Sequence, residues 1–288
     1  MINKKKAAIL VGVLTILAIA AIIILFRGQI AAQVVLKPRP AGAGFSLVQP
    51  ARPAQQAQPA RPAQPAVQAQ NPEPRPQPAV IGQPMADFTL PVYQGGSLTL
   101  SSLRGKNVLI LFPRGYAAEN YWCTICNYRY VELAELEKAK KIQEKYNVEI
   151  LVVFPYARDT VKTWLEALPG QLETVRATKN PDDPSKLDEK AKARMERFRQ
   201  IFPNDYSVEK GTILAPFPIL IDGERTLSKK LDLFRHEWSG SKVDQNIPSV
   251  YIIDANGILQ FKYLGQNTVD RPGYDYLMKV LEVINSSK

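Results

Sequence analysis

Four short, largely apolar runs stand out after residue 100: 108–112 (VLILF), 148–154 (VEILVVF), 218–221 (PILI) and 250–253 (VYII). Each ends near Pro, Asp or Gly, the pattern of short buried strands. A helical stretch of about 126–146 lies between the first two. After the second, Val161, Trp164, Leu165 and Leu168 fall at i, i+3, i+4 and i+7, one face of a helix. Tyr274, Leu277, Leu281 and Ile284 repeat that spacing after Pro272, a residue favoured in a first helical turn. The Asp254-Ala-Asn-Gly257 run marks a turn between two antiparallel strands. The order β-α-β-α then β-β-α predicts an α/β fold, a central mixed sheet with helices on both faces.

Between 169 and 216 the pattern breaks. Residues 186–200 alternate in charge, with Leu187, Ala191, Met195 and Phe198 at near-helical spacing. This predicts an inserted surface helix laid over the core, its charged face solvated; a partner-binding role is the sharper alternative.

The first quarter reads differently. Residues 7–26 carry no charge and one polar side chain, Thr15, and as a helix they span a hydrocarbon core of roughly 30 Å. A cleaved signal peptide has a shorter apolar region and a small-residue cleavage site, which is not evident here. The expectation is a single uncleaved transmembrane helix, with residues 1–6 cytoplasmic because Lys4, Lys5 and Lys6 precede it. Residues 27–84 are rich in Pro, Ala and Gln, repeat QPARPAQ at 49–55 and 58–64, and read as an extended tether. The folded domain is expected over 85–288, anchored to the cytoplasmic (inner) membrane and lying on its periplasmic, extracytoplasmic side.

Charge changes the picture little. Of 37 Lys and Arg and 27 Asp and Glu, nine bases and one acid fall in residues 1–84. The folded part is therefore nearly neutral and lacks the basic footprint of a nucleic-acid binder. With one histidine, no multi-histidine metal site exists, and no metal or cofactor is expected. His236, in a linker, reads as a surface or packing residue.

Two cysteines point to chemistry. Both lie in Trp122-Cys-Thr-Ile-Cys126, where a strand gives way to a helix. Unsatisfied amides and the dipole at a helix N-terminus stabilise a thiolate. Cys123 is thus the expected nucleophile, forming a mixed disulfide that the less exposed Cys126 resolves. Two inert buried thiols are the competing reading.

A tryptophan before C-x-x-C on a strand-to-helix turn, a second strand, and the later run at 246–254 (NIPSVYIID) resemble the thioredoxin superfamily. The redoxin branch is the nearest, with its alkyl-hydroperoxide-reductase/thiol-specific-antioxidant proteins and membrane-tethered thioredoxins; residues 82–88 (GQPMADF) resemble its entry segment. The resemblance implies a thioredoxin fold over about 81–288, with an N-terminal extension and a helical insertion. It also implies a cis Pro248, with Trp122 and the backbone of Ile247 beside it to bind an extended substrate. Departures from the family pattern are visible. Residues 113–121 are longer than a minimal thioredoxin turn, and Asn120 stands three before Cys123 where peroxiredoxins carry Thr or Ser. Ile247 and Pro248 occupy the place of an expected arginine, for which Arg114 is a candidate substitute. Glu119 is a candidate proton acceptor.

The leading expectation is a membrane-anchored thiol-disulfide oxidoreductase serving protein disulfide and dithiol substrates and an upstream redox partner. The alternatives are a peroxiredoxin-like thiol peroxidase with antioxidant function, and a non-catalytic binding module of the same fold.

Overall fold

A computed structural model describes residues 76–286. In chain order the strands and helices are β1 (Thr89–Pro91), β2 (Ser97–Thr99), β3 (Asn107–Phe112), β4 (Tyr116–Ala118), β5 (Tyr121–Trp122), α1 (Thr124–Lys140), α2 (Ile142–Tyr146) and β6 (Val148–Phe154). There follow α3 (Arg158–Glu166), α4 (Leu168–Lys179), α5 (Glu189–Ile201), β7 (Ile219–Ile221), α6 (Thr226–Lys230), β8 (Phe234–Arg235), β9 (Gln245–Asn246), β10 (Ser249–Ile253), β11 (Leu259–Leu264) and α7 (Tyr274–Ser286).

The four apolar runs form β3, β6, β7 and β10 of a five-stranded sheet, completed by β11 beyond the 254–257 turn, in the order β11-β10-β3-β6-β7. β3, β6 and β7 are parallel, while β10 runs antiparallel to both neighbours, so the sheet is mixed as expected. Alternation along the strands divides the core. Leu109, Ile150, Val152 and Ile252 face one layer, packed on Val131 and Leu133 of α1, Trp164 of α3, Leu172 of α4 and Leu277 of α7. Val108, Ile110, Val153 and Tyr251 face the other, closed by Leu100, Leu227 and Leu231. Long helices thus cover one face. The second is closed by short elements and the β1–β2 hairpin.

Two expectations change in detail. The helix between the first two strands breaks at Lys141, which takes φ +46° between α1 and α2. The segment from 169 is not all insertion: α4 buries Leu172 and Val175 in the core, with Pro169 in its first turn. The charged helix does form as α5, capped by the Asp188 carboxylate, which accepts from the Ala191 amide at 2.7 Å, and it buries Met195. The coil that follows it is fastened to α1 at two points. The Tyr128 hydroxyl accepts from the Asn204 amide (2.9 Å), and the Tyr130 hydroxyl donates to the Leu214 carbonyl (2.8 Å).

The folded unit also takes in residues ahead of 85: the Gly82 amide donates to the Leu259 carbonyl, and Lys262 Nζ to that of Ala79. The expected anchor at 7–26 and most of the tether lie outside the described residues. Among those described, no helix is long and apolar enough to cross a membrane.

Candidate active site

Strand β3 delivers the chain to Pro113, and residues 114–122 return it to the start of α1 as a hairpin rather than an open loop. Its turn is possible because Asn120 takes φ +56°, a conformation asparagine tolerates. The Trp122 ring stacks on Tyr116 at 3.9 Å and is itself buried. At the base, Gly115 takes φ +81°, and a Cβ there would fall 2.2 Å from the Tyr156 ring. That contact and that φ explain the glycine. The Gly115 carbonyl accepts from the Cys123 amide at 2.8 Å, so the base of the hairpin aims the first cysteine. Tyr156 secures it: its hydroxyl accepts from the Tyr116 amide (3.1 Å) and faces the carbonyls of Asp244 (2.8 Å) and Arg114 (3.1 Å).

Cys123 is the N-cap of α1, its sulfur accepting from the Cys126 amide at 3.4 Å. The two Sγ atoms are 2.7 Å apart, and the pair is reduced. The expected contrast in exposure is absent, since Cys123 is 3% and Cys126 5% exposed. Both sulfurs face Arg271, whose Nη2 lies 3.7 Å from Cys126 Sγ and 4.0 Å from Cys123 Sγ. Burial pushes the Cys126 thiol up, but the Cys123 hydrogen bond and then the charge and hydrogen bond of Arg271 bring it down to about 5. Cys123 goes the other way, held well above the usual thiol range by its hydrogen bond to Cys126 and by burial. The helix amide on Cys123 opposes this separation but does not reverse it. The pair therefore shares one proton, and the nearer approach of Arg271 favours the charge on Cys126.

A cavity of about 50 Å³ opens beside this sulfur, lined by Cys126, Arg129, Val152, Pro248, Arg271 and Leu277 among others. Cys123 does not reach it. Arg271 is held there from behind. Its Nη1 donates to the Asp270 carbonyl (2.6 Å), and the carbonyl of Pro272, the residue after it, accepts from Arg129 Nη2 (2.5 Å). Arg129 in turn lies 3.9 Å over the Tyr274 ring and pairs with Glu132 at 2.6 Å.

The other expected site residues are placed as follows. Pro248 borders the cavity, but its peptide bond with Ile247 is trans, a correction to the cis bond the resemblance implies. Nor is the backbone of Ile247 free for a substrate strand. Its N–H donates to the Leu233 carbonyl (2.8 Å), and its carbonyl accepts from Ser249 Oγ (2.8 Å). The guanidinium of Arg114 is committed away from the sulfurs, with Nε on Gln245 Oε1 (2.5 Å) and the group over the Trp238 ring. Glu119 is exposed at the hairpin tip, in a separate cleft with Lys242 and Thr268. His236 is exposed and bonded to the Asp244 carboxylate at 2.6 Å. Arg271 is the residue that sequence reasoning missed. The arginine is expected beside β10, whereas the Arg271-Pro272 step just ahead of the last helix carries it.

Comparison with known proteins bears on this arrangement. No curated protein sequence matches. Among solved structures, a Plasmodium vivax 2-Cys peroxiredoxin in its reduced form is 18% identical at a TM-score of 0.44, over 73% of this chain and 83% of that one. Mycobacterium bovis AhpC is 16% identical at a TM-score of 0.47, over 74% and 96%. Mycobacterium tuberculosis AhpC is 17% identical at 0.45, over 74% and 96%. The sequence profile of the AhpC/TSA family matches residues 81–262, well over half of the chain, which spans the sheet from its entry segment to β11 and includes both cysteines. With the thioredoxin-like sheet and the dithiol beyond the end of its central strand, β3, this chain belongs to the AhpC/TSA family.

Proposed function

We propose that the protein is a thiol peroxidase in which Cys126 reacts with peroxide and Cys123 resolves it. The observation that carries this reading is the cavity. At about 50 Å³ it exceeds several-fold the roughly 10–15 Å³ that one water needs, yet it is far too small for a polypeptide, and Cys126 is the sulfur it reaches. The Cys126 thiolate attacks one peroxide oxygen and the O–O bond breaks. The other oxygen leaves as an alcohol or water once protonated, and Cys126 becomes a sulfenic acid. Arg271 stabilises the charge that moves onto the departing oxygen. The Cys123 thiol then attacks the sulfenic sulfur, water leaves, and the disulfide closes. Two electrons and two protons from an external protein dithiol restore the pair.

This reverses the roles expected of the two cysteines. A disulfide reductase keeps some support, because Cys123 caps a helix as an attacking thiol would. Its difficulty is access, with both sulfurs buried and the Ile247 backbone already bonded. We also infer, from the apolar run at 7–26 and the proline-rich segment behind it, that the domain is tethered outside the cytoplasm.

Peroxide consumption and insulin reduction by the full chain, measured side by side, test the catalytic reading. Cys126→Ser is expected to abolish peroxide consumption, and Cys123→Ser to stop at a Cys126 carrying one extra oxygen atom by mass. Efficient insulin reduction without peroxide turnover would restore the disulfide-reductase reading.

A further inference from the structure

The proposed cycle leaves one charge without a partner in one of its states. The cavity is bordered by two guanidinium groups. Arg129 is neutralised by Glu132 at 2.6 Å. Arg271 has no carboxylate within ion-pair distance among the described residues. Its neighbour Asp270 turns its carboxylate to the Gln266 amide (2.8 Å) and the Tyr263 hydroxyl. What faces the Arg271 guanidinium is sulfur, at 3.7 and 4.0 Å.

In the dithiol state the shared thiolate supplies the negative charge. Closing the disulfide removes it, since a thiolate and a thiol give one S–S bond, one proton and two electrons. The oxidised site then holds a half-buried cation with no ion-paired carboxylate, beside a cavity whose walls include apolar side chains such as Val152 and Leu277. Leaving a charge unpaired in such surroundings is costly, and a small group of opposite sign offsets that cost.

We propose that the disulfide form of this site binds a compact monovalent anion, held by Arg271 in the cavity bordered by Cys126, Pro248 and Ser249. The inference rests on the reading that Cys123 and Cys126 cycle between dithiol and disulfide. Its sign is fixed. The thiolate of the reduced form repels the anion and satisfies Arg271, so the anion binds the oxidised form more tightly. It therefore stabilises the disulfide and makes the pair harder to reduce. The level of a small anion thus regulates how readily the oxidised enzyme accepts electrons, without competing for the reduced enzyme that meets peroxide.

The experiment is a titration of the full chain between dithiol and disulfide forms, followed by mass, in sodium nitrate and in sodium gluconate at equal ionic strength. Nitrate fits the cavity and gluconate exceeds it. Saturating nitrate is expected to favour the disulfide about tenfold, lowering the midpoint potential by about 30 mV, and gluconate to do nothing. Arg271→Gln should lose the nitrate response and Arg271→Lys keep part of it. Lys106→Gln, which removes an exposed cation paired with Glu149, should keep it whole. Equal shifts in nitrate and gluconate, or an undiminished response in Arg271→Gln, would overturn the proposal. Should Arg271→Gln fail to fold, the nitrate and gluconate pair and the lysine variant decide. A chain that never loses two hydrogens on oxidation would defeat the cycling itself. One that forms the disulfide but consumes no peroxide would defeat only the peroxidase reading.

Discussion

The hairpin ahead of the cysteines and the loop ahead of the last helix hold the same two sulfurs by different physics. Residues 114–122 are fixed by packing and backbone hydrogen bonds: Gly115 under the Tyr156 ring, Trp122 on Tyr116, the Arg114 guanidinium on Gln245. None of these contacts involves either sulfur. The 265–273 loop brings one cation, Arg271, whose Nη2 faces the sulfurs themselves. The first region sets where the dithiol is, and the second sets which sulfur is ionised and in which redox state. Substitutions in the two should therefore separate stability from reactivity.

The largest effect is expected from Gly115→Ala. The new Cβ meets the Tyr156 ring at 2.2 Å, and alanine at φ +81° is strained besides. Together these should cost about 2–4 kcal/mol, read as a lower urea midpoint. Because the Gly115 carbonyl aims Cys123, peroxide turnover should fall along with stability. Unchanged stability would mean that the hairpin yields and is not the rigid member of the comparison.

Arg271→Gln should do the opposite. Its expected cost in stability is within about 1 kcal/mol, because a protonated Cys126 needs no counter-charge. Peroxide turnover should nevertheless drop about 100-fold, the usual scale for losing one donor to a developing negative charge. A loss of folding stability as large as that of Gly115→Ala would erase the distinction between the two regions.

A smaller effect sharpens which sulfur carries the charge. With Cys126 at about 5 and Cys123 held well above the usual thiol range, one thiolate is present between those limits. Oxidation there releases one proton for two electrons, so the midpoint potential should fall about 30 mV per pH unit. Below pH about 5 both sulfurs are protonated, two protons leave, and the slope should steepen to about 59 mV. The break should move to higher pH in Arg271→Gln, where the lowering charge is gone. A break near pH 8 or 9 in the native chain would show that Arg271 does not shape the pair.

The contrast also separates what the sequence made legible from what it did not. Four strands of the sheet were readable because they are short apolar runs and the fifth because a turn at 254–257 precedes it, and Cys123 and Cys126 because no other cysteines compete with them. Two things were hidden. The α4 helix lay past Pro169, where a proline reads as a stop although it also opens helices, and its buried face is thin, with Leu172 and Val175 among polar neighbours. Arg271 was hidden because its role depends on a loop that crosses back over the first turn of α1, a long-range contact that leaves no local pattern. The expected roles of Ile247 and Arg114 failed for a related reason. Sequence shows which backbone and side-chain groups exist, not that Leu233, Ser249 and Gln245 already use them.

The smallest effect belongs to Pro248, and it decides whether the neighbouring strand takes part in binding. The Ile247–Pro248 bond is trans, so replacing the proline removes no isomer that the fold depends on. The Pro248 carbonyl keeps its bond from the Gly265 amide at 2.8 Å, and both Ile247 backbone groups keep theirs. What Pro248→Ala loses is ring contact at the cavity wall and some restriction of the unfolded chain. Each is worth about 1 kcal/mol or less. The variant should unfold at a slightly lower urea concentration and consume peroxide within about twofold of the native rate, a free-energy change below about 0.5 kcal/mol. It should leave any insulin reduction equally untouched, because no strand of substrate docks on Ile247. A selective collapse of insulin reduction, with peroxide turnover intact, would return Pro248 to the substrate-binding role and show that the backbone bonds of Ile247 open when a protein substrate arrives.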